Sequence, residues 1–132
     1  MIFVDTGAFL ALYEPRDQFH GIALQIWPTL TGPLLTSNHV VSETVTRLSR
    51  QAGCREAAAR AADLYASTSI DIVQSMREDE LEAIGWMRKF ADQRVSFTDC
   101  VSFAMMRRNR VRTAFTFDRH FRDAGFQVIG LK

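Results

Sequence analysis

Short runs rich in apolar and β-branched residues punctuate this chain, and a helix-like stretch separates each from the next. The runs are "IFV" (2–4), "PLLTS" (33–37), "IDIV" (70–73), "RTAFTF" (112–117) and "QVIGL" (127–131). A strand followed by a helix cannot close a tight hairpin. It leads to a strand that returns in the same direction, with the helix lying across the sheet. The alternation therefore predicts an α/β fold in three layers, α/β/α, around a central and mainly parallel sheet covered on both faces. The helices are predicted from about Thr6 to Tyr13, stopped by Pro15, and from near Asp17 or Gln18 to the region of Pro28. "NHVVSETVTRLSRQAG" reads as a helix capped by Asn38 and closed by Gly53. An Ala-rich helix, "CREAAARAADLYAST", follows it. "REDELEAIGWMRKFA" carries acids in its first turn and Arg88 and Lys89 in its last, as a helix dipole prefers. After it comes an oily segment opened by Asp99, and a short "DRHFRDA" helix stopped by Gly125. With 132 residues, no repeats and no linker-like tracts, residues 1–132 read as a single domain.

Two acids directly follow predicted strands, Asp5 after "IFV" and Asp118 after "TAFTF". In a parallel sheet both emerge at the carboxyl edge, where open α/β sheets place their sites. Asp99 is located by arithmetic. A helix from about Thr98 to Asn109 carries the chain roughly 18 Å away. The strand from Thr113 to Phe117 returns it by roughly 16 Å. Asp118 is thus expected beside Asp99. Glu43 lies six residues beyond Ser37, on the flank of a helix whose apolar face is Val40, Val41, Thr44, Val45 and Leu48. Each acid also has an ordinary structural reading. Asp5 and Asp118 can be N-caps, Asp99 can complete a Ser96-x-x-Asp99 capping box, and Glu43 can pair with Arg47 at i,i+4. Their joint placement at one edge is what separates a site from four independent caps. Clustered carboxylates raise one another's pKa, and a divalent cation removes that penalty. Hard oxygen donors without His or Cys favour Mg²⁺ or Mn²⁺ over Zn²⁺. Such an ion suits hydrolysis of a phosphodiester by in-line attack of water.

Sixteen basic and fifteen acidic residues leave a formal charge of +1, so nucleic-acid binding requires a local basic patch. Arg119 and His120, beside Asp118, are candidates for contacting substrate, as are Arg47 and Arg94; Arg16 is a further candidate for the rim. The run "RRNRVR" (107–112) reads either as a solvated helix end or as a set of phosphate contacts. The arithmetic above puts it at the far end of the helix from Asp99, which favours the solvated end. Cys54 and Cys100 are far apart and form no metal-binding pair, and Cys100 belongs to an apolar stripe. His39 reads as a helix-start residue. Phe9, Leu10, Tyr13, Trp27, Trp86, Met105 and Met106 read mostly as core. The start "MIFVDTGAFLALYE" has no basic leader, and Asp5 interrupts an apolar stretch too short to span a membrane. The expectation is a cytoplasmic protein with no membrane partner.

The strand-Asp5-Thr6 start, the "TSNHVVSET" segment with Glu43, "SFTDC" with Asp99 and "TFDRHF" with Asp118 resemble the PIN domain. The stretch "SFTDCVSFAMMRR…AFTFDRHFRDAGF" is similar in particular to VapC-type toxin ribonucleases of toxin–antitoxin pairs. The resemblance covers Ile2 to Leu131. It implies a five-stranded parallel sheet and a Mg²⁺- or Mn²⁺-dependent endoribonuclease that leaves 5′-phosphate and 3′-hydroxyl ends. Asp5, Glu43, Asp99 and Asp118 would be the acidic quartet, with Thr6 and Thr98 as hydroxyls that orient the acids or a water. The partners implied are an RNA substrate, a cognate VapB-type antitoxin and a second copy of the chain. Two other readings stay open on the residues alone. One is a non-catalytic PIN-like module binding RNA or protein. The other is an acid-dependent phosphatase or phospho-acceptor, although Asp5-Thr6-Gly7 lacks the DxD that such enzymes carry after the first strand.

Overall fold

The structure, a computed structural model, describes residues 1–131. In chain order, β1 (Ile2–Val4) leads to α1 (Thr6–Tyr13), α2 (His20–Ile26) and a 3₁₀ turn (Trp27–Thr29). Next come β2 (Leu34–Ser37), α3 (Asn38–Ala52), α4 (Cys54–Ala66) and β3 (Ile70–Val73). The chain continues with α5 (Arg77–Lys89), α6 (Phe97–Arg108), β4 (Thr113–Phe115), α7 (His120–Asp123) and β5 (Gln127–Ile129). All strand pairs are parallel, in the order β3-β2-β1-β4-β5. Phe3 and Val4, successive residues whose side chains leave β1 on opposite faces, are both buried, as are Ala114 and Phe115 in β4. The sheet is therefore covered on both sides, as the alternating pattern predicts. Phe3, Phe9, Phe103, Phe115 and Phe121 fill the core. In α6 the run from Cys100 to Met106 is buried without interruption.

Several boundaries differ from expectation for local reasons. The α3 cap is Ser37 rather than Asn38. Ser37 still has extended backbone, and its Oγ accepts the Val40 amide at 3.1 Å. Asn38 instead uses its Oδ1 to accept the Ser75 amide at 2.8 Å, tying β2 to the end of β3. Asp17 does not start α2. Its Oδ1 accepts the Phe19 amide at 2.8 Å in a side-chain turn, and the helix begins only at His20. Pro33 stays outside β2, though its carbonyl accepts the Ile2 amide.

The strand order locates the site. From β1 the next strand in sequence, β2, lies on one side, while β4 lies on the other. Adjacent connections therefore diverge at β1/β4, which opens a crevice at the carboxyl edge. Beyond Leu35 the β1–β2 ladder stops, and the Thr36 hydroxyl takes over by donating to the Val4 carbonyl at 2.8 Å.

Candidate active site

At that edge a crevice of about 400 Å³ is lined by Asp5, Glu43, Asp99 and Asp118, together with Arg47 and Arg94. The four acids expected to converge do so, from β1, α3, α6 and the turn after β4. Each aspartate is pinned through one oxygen. The Thr116 hydroxyl donates to Asp5 Oδ2 at 2.8 Å. The Ser96 amide donates to Asp99 Oδ2 at 3.3 Å, and the His120 amide to Asp118 Oδ1 at 2.9 Å. The Asp99 bond is half of the expected capping box, whose other half is the Asp99 amide donating to Ser96 Oγ at 3.0 Å. Asp5 occupies an N-cap position yet makes no capping bond. Its Oδ1 and the neighbouring Thr6 Oγ1 are buried with no partner. Glu43 forms no ion pair with Arg47, and no hydrogen bond holds it among the described residues.

Burial and mutual repulsion shape the electrostatics. Asp5 is only 3% exposed. Its burial, with the Asp99 charge next, pushes its pKa up to about 8, against the pull of the Thr116 hydrogen bond. Asp99 is pushed up to about 6 by burial and then by Asp118, with Glu43 adding and the Ser96 bonds opposing. His120 Nδ1 lies 2.8 Å from Asp118 Oδ1 but is not aligned for a hydrogen bond.

The other candidates divide. Thr6, Arg47 and Arg94 line the crevice; Thr98, Arg119 and His120 do not. Thr98 instead offers its carbonyl to the Ser102 hydroxyl at 2.9 Å. Arg16 is held away, with Nε on Glu14 Oε1 at 2.8 Å and Nη2 on the Gln51 carbonyl. His39 lies at the start of α3 against Ser75, and Cys100 is buried and unpaired. The residue that sequence reasoning missed is Thr116. Its one hydroxyl donates to Asp5 and accepts the Asp118 amide at 3.0 Å. The available signal was its position two residues before Asp118, just beyond β4, but only the Val4–Phe115 register places it across from Asp5. Asp17 and the parallel rings of Phe19 and Phe117, 4.5 Å apart, also form part of the wall.

Among the described residues, no three Asp, Glu, His or Cys side chains are drawn close enough to form a ready-made metal cage. The donor chemistry nevertheless fits a hard divalent cation. The facing donors are all oxygen, Asp5 Oδ1 is buried without a partner, and the raised carboxyl pKa values mark an uncompensated negative site.

Residues 2–127 match the PIN domain family. Over 126 residues the chain is 39% identical to the 23S rRNA-specific endonuclease VapC20 of Mycobacterium tuberculosis, in two strains, covering 96% of this chain and 95% of the relative. The crystal structure of M. tuberculosis VapC20, described as a sarcin–ricin loop cleaving toxin, superposes with a TM-score of 0.89 at 37% identity, covering 96% of each chain. A toxin–antitoxin complex from Klebsiella pneumoniae (TM-score 0.70, 11% identity) and FitAcB from Neisseria gonorrhoeae (0.68, 14%) share the fold, each covering 98% of this chain and 96% of the other.

Proposed function

The chain belongs to the PIN domain family, and on that premise we propose that it is a divalent-metal-dependent endoribonuclease, the toxin of a toxin–antitoxin pair. Residues 1–132 form its catalytic domain, which works in the cytoplasm; among the described residues no helix is long and apolar enough to cross a membrane. Its substrate is 23S rRNA at the sarcin–ricin loop, the target given in the descriptions of its relatives. The observation that carries the reading is the triple pinning of the aspartates. Thr116, Ser96 and the His120 amide each fix one carboxylate oxygen, leaving the other without a hydrogen bond among the described residues. Oxygens fixed in this way lose less freedom when a ligand draws the carboxylates together.

Asp5, Asp99 and Asp118 would hold Mg²⁺ or Mn²⁺, with Glu43 beside them. When bound, the cation supplies positive charge for the developing phosphorane charge and lowers the pKa of a water. The chain's own residues do the rest. Arg47 and Arg94 hold phosphate oxygens at the crevice wall. Glu43, the one acid no hydrogen bond holds, takes the proton of the attacking water, while Thr6 Oγ1 orients that water. The water oxygen bonds to phosphorus as the P–O3′ bond breaks, and the departing 3′-oxygen takes a proton from solvent, which yields 5′-phosphate and 3′-hydroxyl ends. Thr98, Arg119 and His120 shape the segments that carry Asp99 and Asp118.

Two surfaces support the partners. Leu81, Ile84 and Met87 form an exposed apolar stripe along α5, suited to a second copy of the chain. A hollow of about 310 Å³ between α2 and α4, walled by Leu24, Trp27 and Leu64, suits a segment of a VapB-type antitoxin. The deciding experiment incubates a labelled RNA hairpin of the sarcin–ricin loop with Mn²⁺, then with EDTA, then with Mn²⁺ restored. Cutting that stops and resumes is expected, and a folded Asp99→Asn protein should not cut. Full activity of Asp99→Asn would sink the site assignment.

A further inference from the structure

The arginine run at the far end of α6 contains two kinds of side chain. Arg108 turns onto α5, where Nε and Nη2 donate to both oxygens of buried Asp79 at 2.9–3.1 Å. Arg107, Arg110 and Arg112 make no ion pair among the described residues. They line a second crevice, of about 600 Å³, walled by Val111 and Phe126. These residues immediately precede β4 and β5, so the crevice lies at the amino edge of the sheet. The length of α6, roughly 18 Å, separates it from Asp99. Arg107 also borders an adjoining hollow with Lys89, where Glu82 is the one acid.

The backbone supplies a second observation. Helix α6 ends in a Schellman motif, with the Val111 amide donating to the Met106 carbonyl at 2.8 Å and the Arg110 amide to that of Arg107 at 3.1 Å. The donor of the second bond in such a motif adopts left-handed backbone and is usually glycine. Here it is Arg110, with φ of +57°, a conformation its Cβ disfavours. Glycine would serve the turn better. What arginine adds is the side chain in the crevice.

We propose that this crevice is a second RNA-anchoring site, in which Arg107, Arg110 and Arg112 grip backbone phosphates of the substrate remote from the scissile bond. The inference rests on the nuclease reading and deepens it. The cutting crevice presents Asp5, Asp17, Glu43, Asp99 and Asp118 against Arg47 and Arg94, so on its own it repels a polyanion. A net charge of +1 offers no general attraction either. Affinity must therefore come from a local basic site, and unpaired guanidiniums match phosphate oxygens bidentately. Contacts of this kind position a folded RNA without reading its bases.

The test measures binding of a fluorescent sarcin–ricin-loop hairpin in EDTA over a range of salt, and cleavage with Mn²⁺, for wild type, Arg110→Gly and Arg107→Ala/Arg110→Gly/Arg112→Ala. The triple variant should bind about tenfold or more weakly, with a salt slope shallower by about 2, near 0.7 for each lost phosphate contact. Its KM should rise while kcat holds. Arg110→Gly alone should weaken binding without lowering the melting temperature, which separates the lost side chain from a folding defect. Unchanged affinity and salt slope in both variants, with Asp99→Asn still inactive, would overturn this site and leave the nuclease reading intact. RNA affinity that is retained while affinity for the antitoxin falls would assign the crevice to an acidic protein segment and also overturn the proposal. A wild type that neither binds nor cuts RNA would overturn both readings.

Discussion

A single buried hydroxyl, that of Thr116, sets the positions of two acids. It donates to Asp5 Oδ2 and accepts the Asp118 amide, so β1 and the turn after β4 are joined at the reacting edge. Thr116→Val keeps the shape and removes both bonds. Cleavage should fall by roughly 10²-fold, the scale of a small misplacement of reacting groups. The melting free energy should drop by about 1–2 kcal/mol for the orphaned carboxylate oxygen. Thr116→Ser should recover most of both, which a merely steric role would not produce. The hydroxyl bond also lowers the Asp5 pKa, so in Thr116→Val that value should rise further, and NMR titration of the carboxyl can follow it. Ser96→Ala is milder. It removes the bond to the Asp99 amide and should cost about 1 kcal/mol, the usual worth of a cap.

Pairs of elements hold the crevice open in a defined shape. α6 carries Asp99 at its start and is clamped at its end, where Arg108 reaches Asp79 in the first turn of α5. Burial alone would raise the Asp79 pKa, but the hydrogen bonds from Arg108 and the Met76 amide outweigh it and hold it below the usual range. The pair therefore stabilises the fold above the ordinary carboxylate range, and that stabilisation is lost as pH falls through the lowered value. Arg108→Ala leaves a buried acid facing only an amide. It should cost about 2–3 kcal/mol, discounted because the Arg108 side chain is one-third exposed, and lower the melting temperature by roughly 10 °C. At the other side, β5 is followed by Gly130, whose φ is +121° and whose added Cβ would collide with the Thr116 carbonyl oxygen. Gly130→Ala should therefore lower both stability and cleavage, because the strand can relieve the clash only by displacing Thr116. Circular dichroism melting alongside cleavage rates checks both substitutions.

For the molecule as a whole, the acidic crevice makes function and stability oppose each other. Asp5 and Asp99 release their protons at about 8 and about 6 when folded, against 3.8 ordinarily. Between about pH 4 and pH 8 the folded chain thus holds more protons than the unfolded one, so these groups make stability fall as pH rises. In EDTA the melting temperature should decline from about pH 5 to about pH 8, and Mn²⁺ should restore more at the upper end, where protons no longer compete. Calorimetry that finds no such decline and no effect of Mn²⁺ would argue against a cation at this edge. The stripe on α5 acts at the same scale. Leu81→Asp/Ile84→Asp should abolish the proposed pairing of two copies in light scattering, while each copy still melts cooperatively.

The class of fold, the strands and the identity of the four converging acids were legible in the sequence because they rest on local signals. Residue periodicity encodes element type, and a helix and a strand of matched length bring Asp118 back beside Asp99 whatever lies around them. Ser96 and Asp99 form their capping box within one turn of chain. What the sequence leaves open depends on contacts between distant segments. The order β3-β2-β1-β4-β5, the register that sets Thr116 against Asp5, and the choice of Arg47 and Arg94 over Arg16 at the crevice are all of this kind. So is the division of the arginine run into one clamped and three free side chains. Spacing along a chain constrains how far a residue can travel. Only packing decides which oxygen its side chain meets, because that choice is made by the neighbouring strand and not by the residue's own.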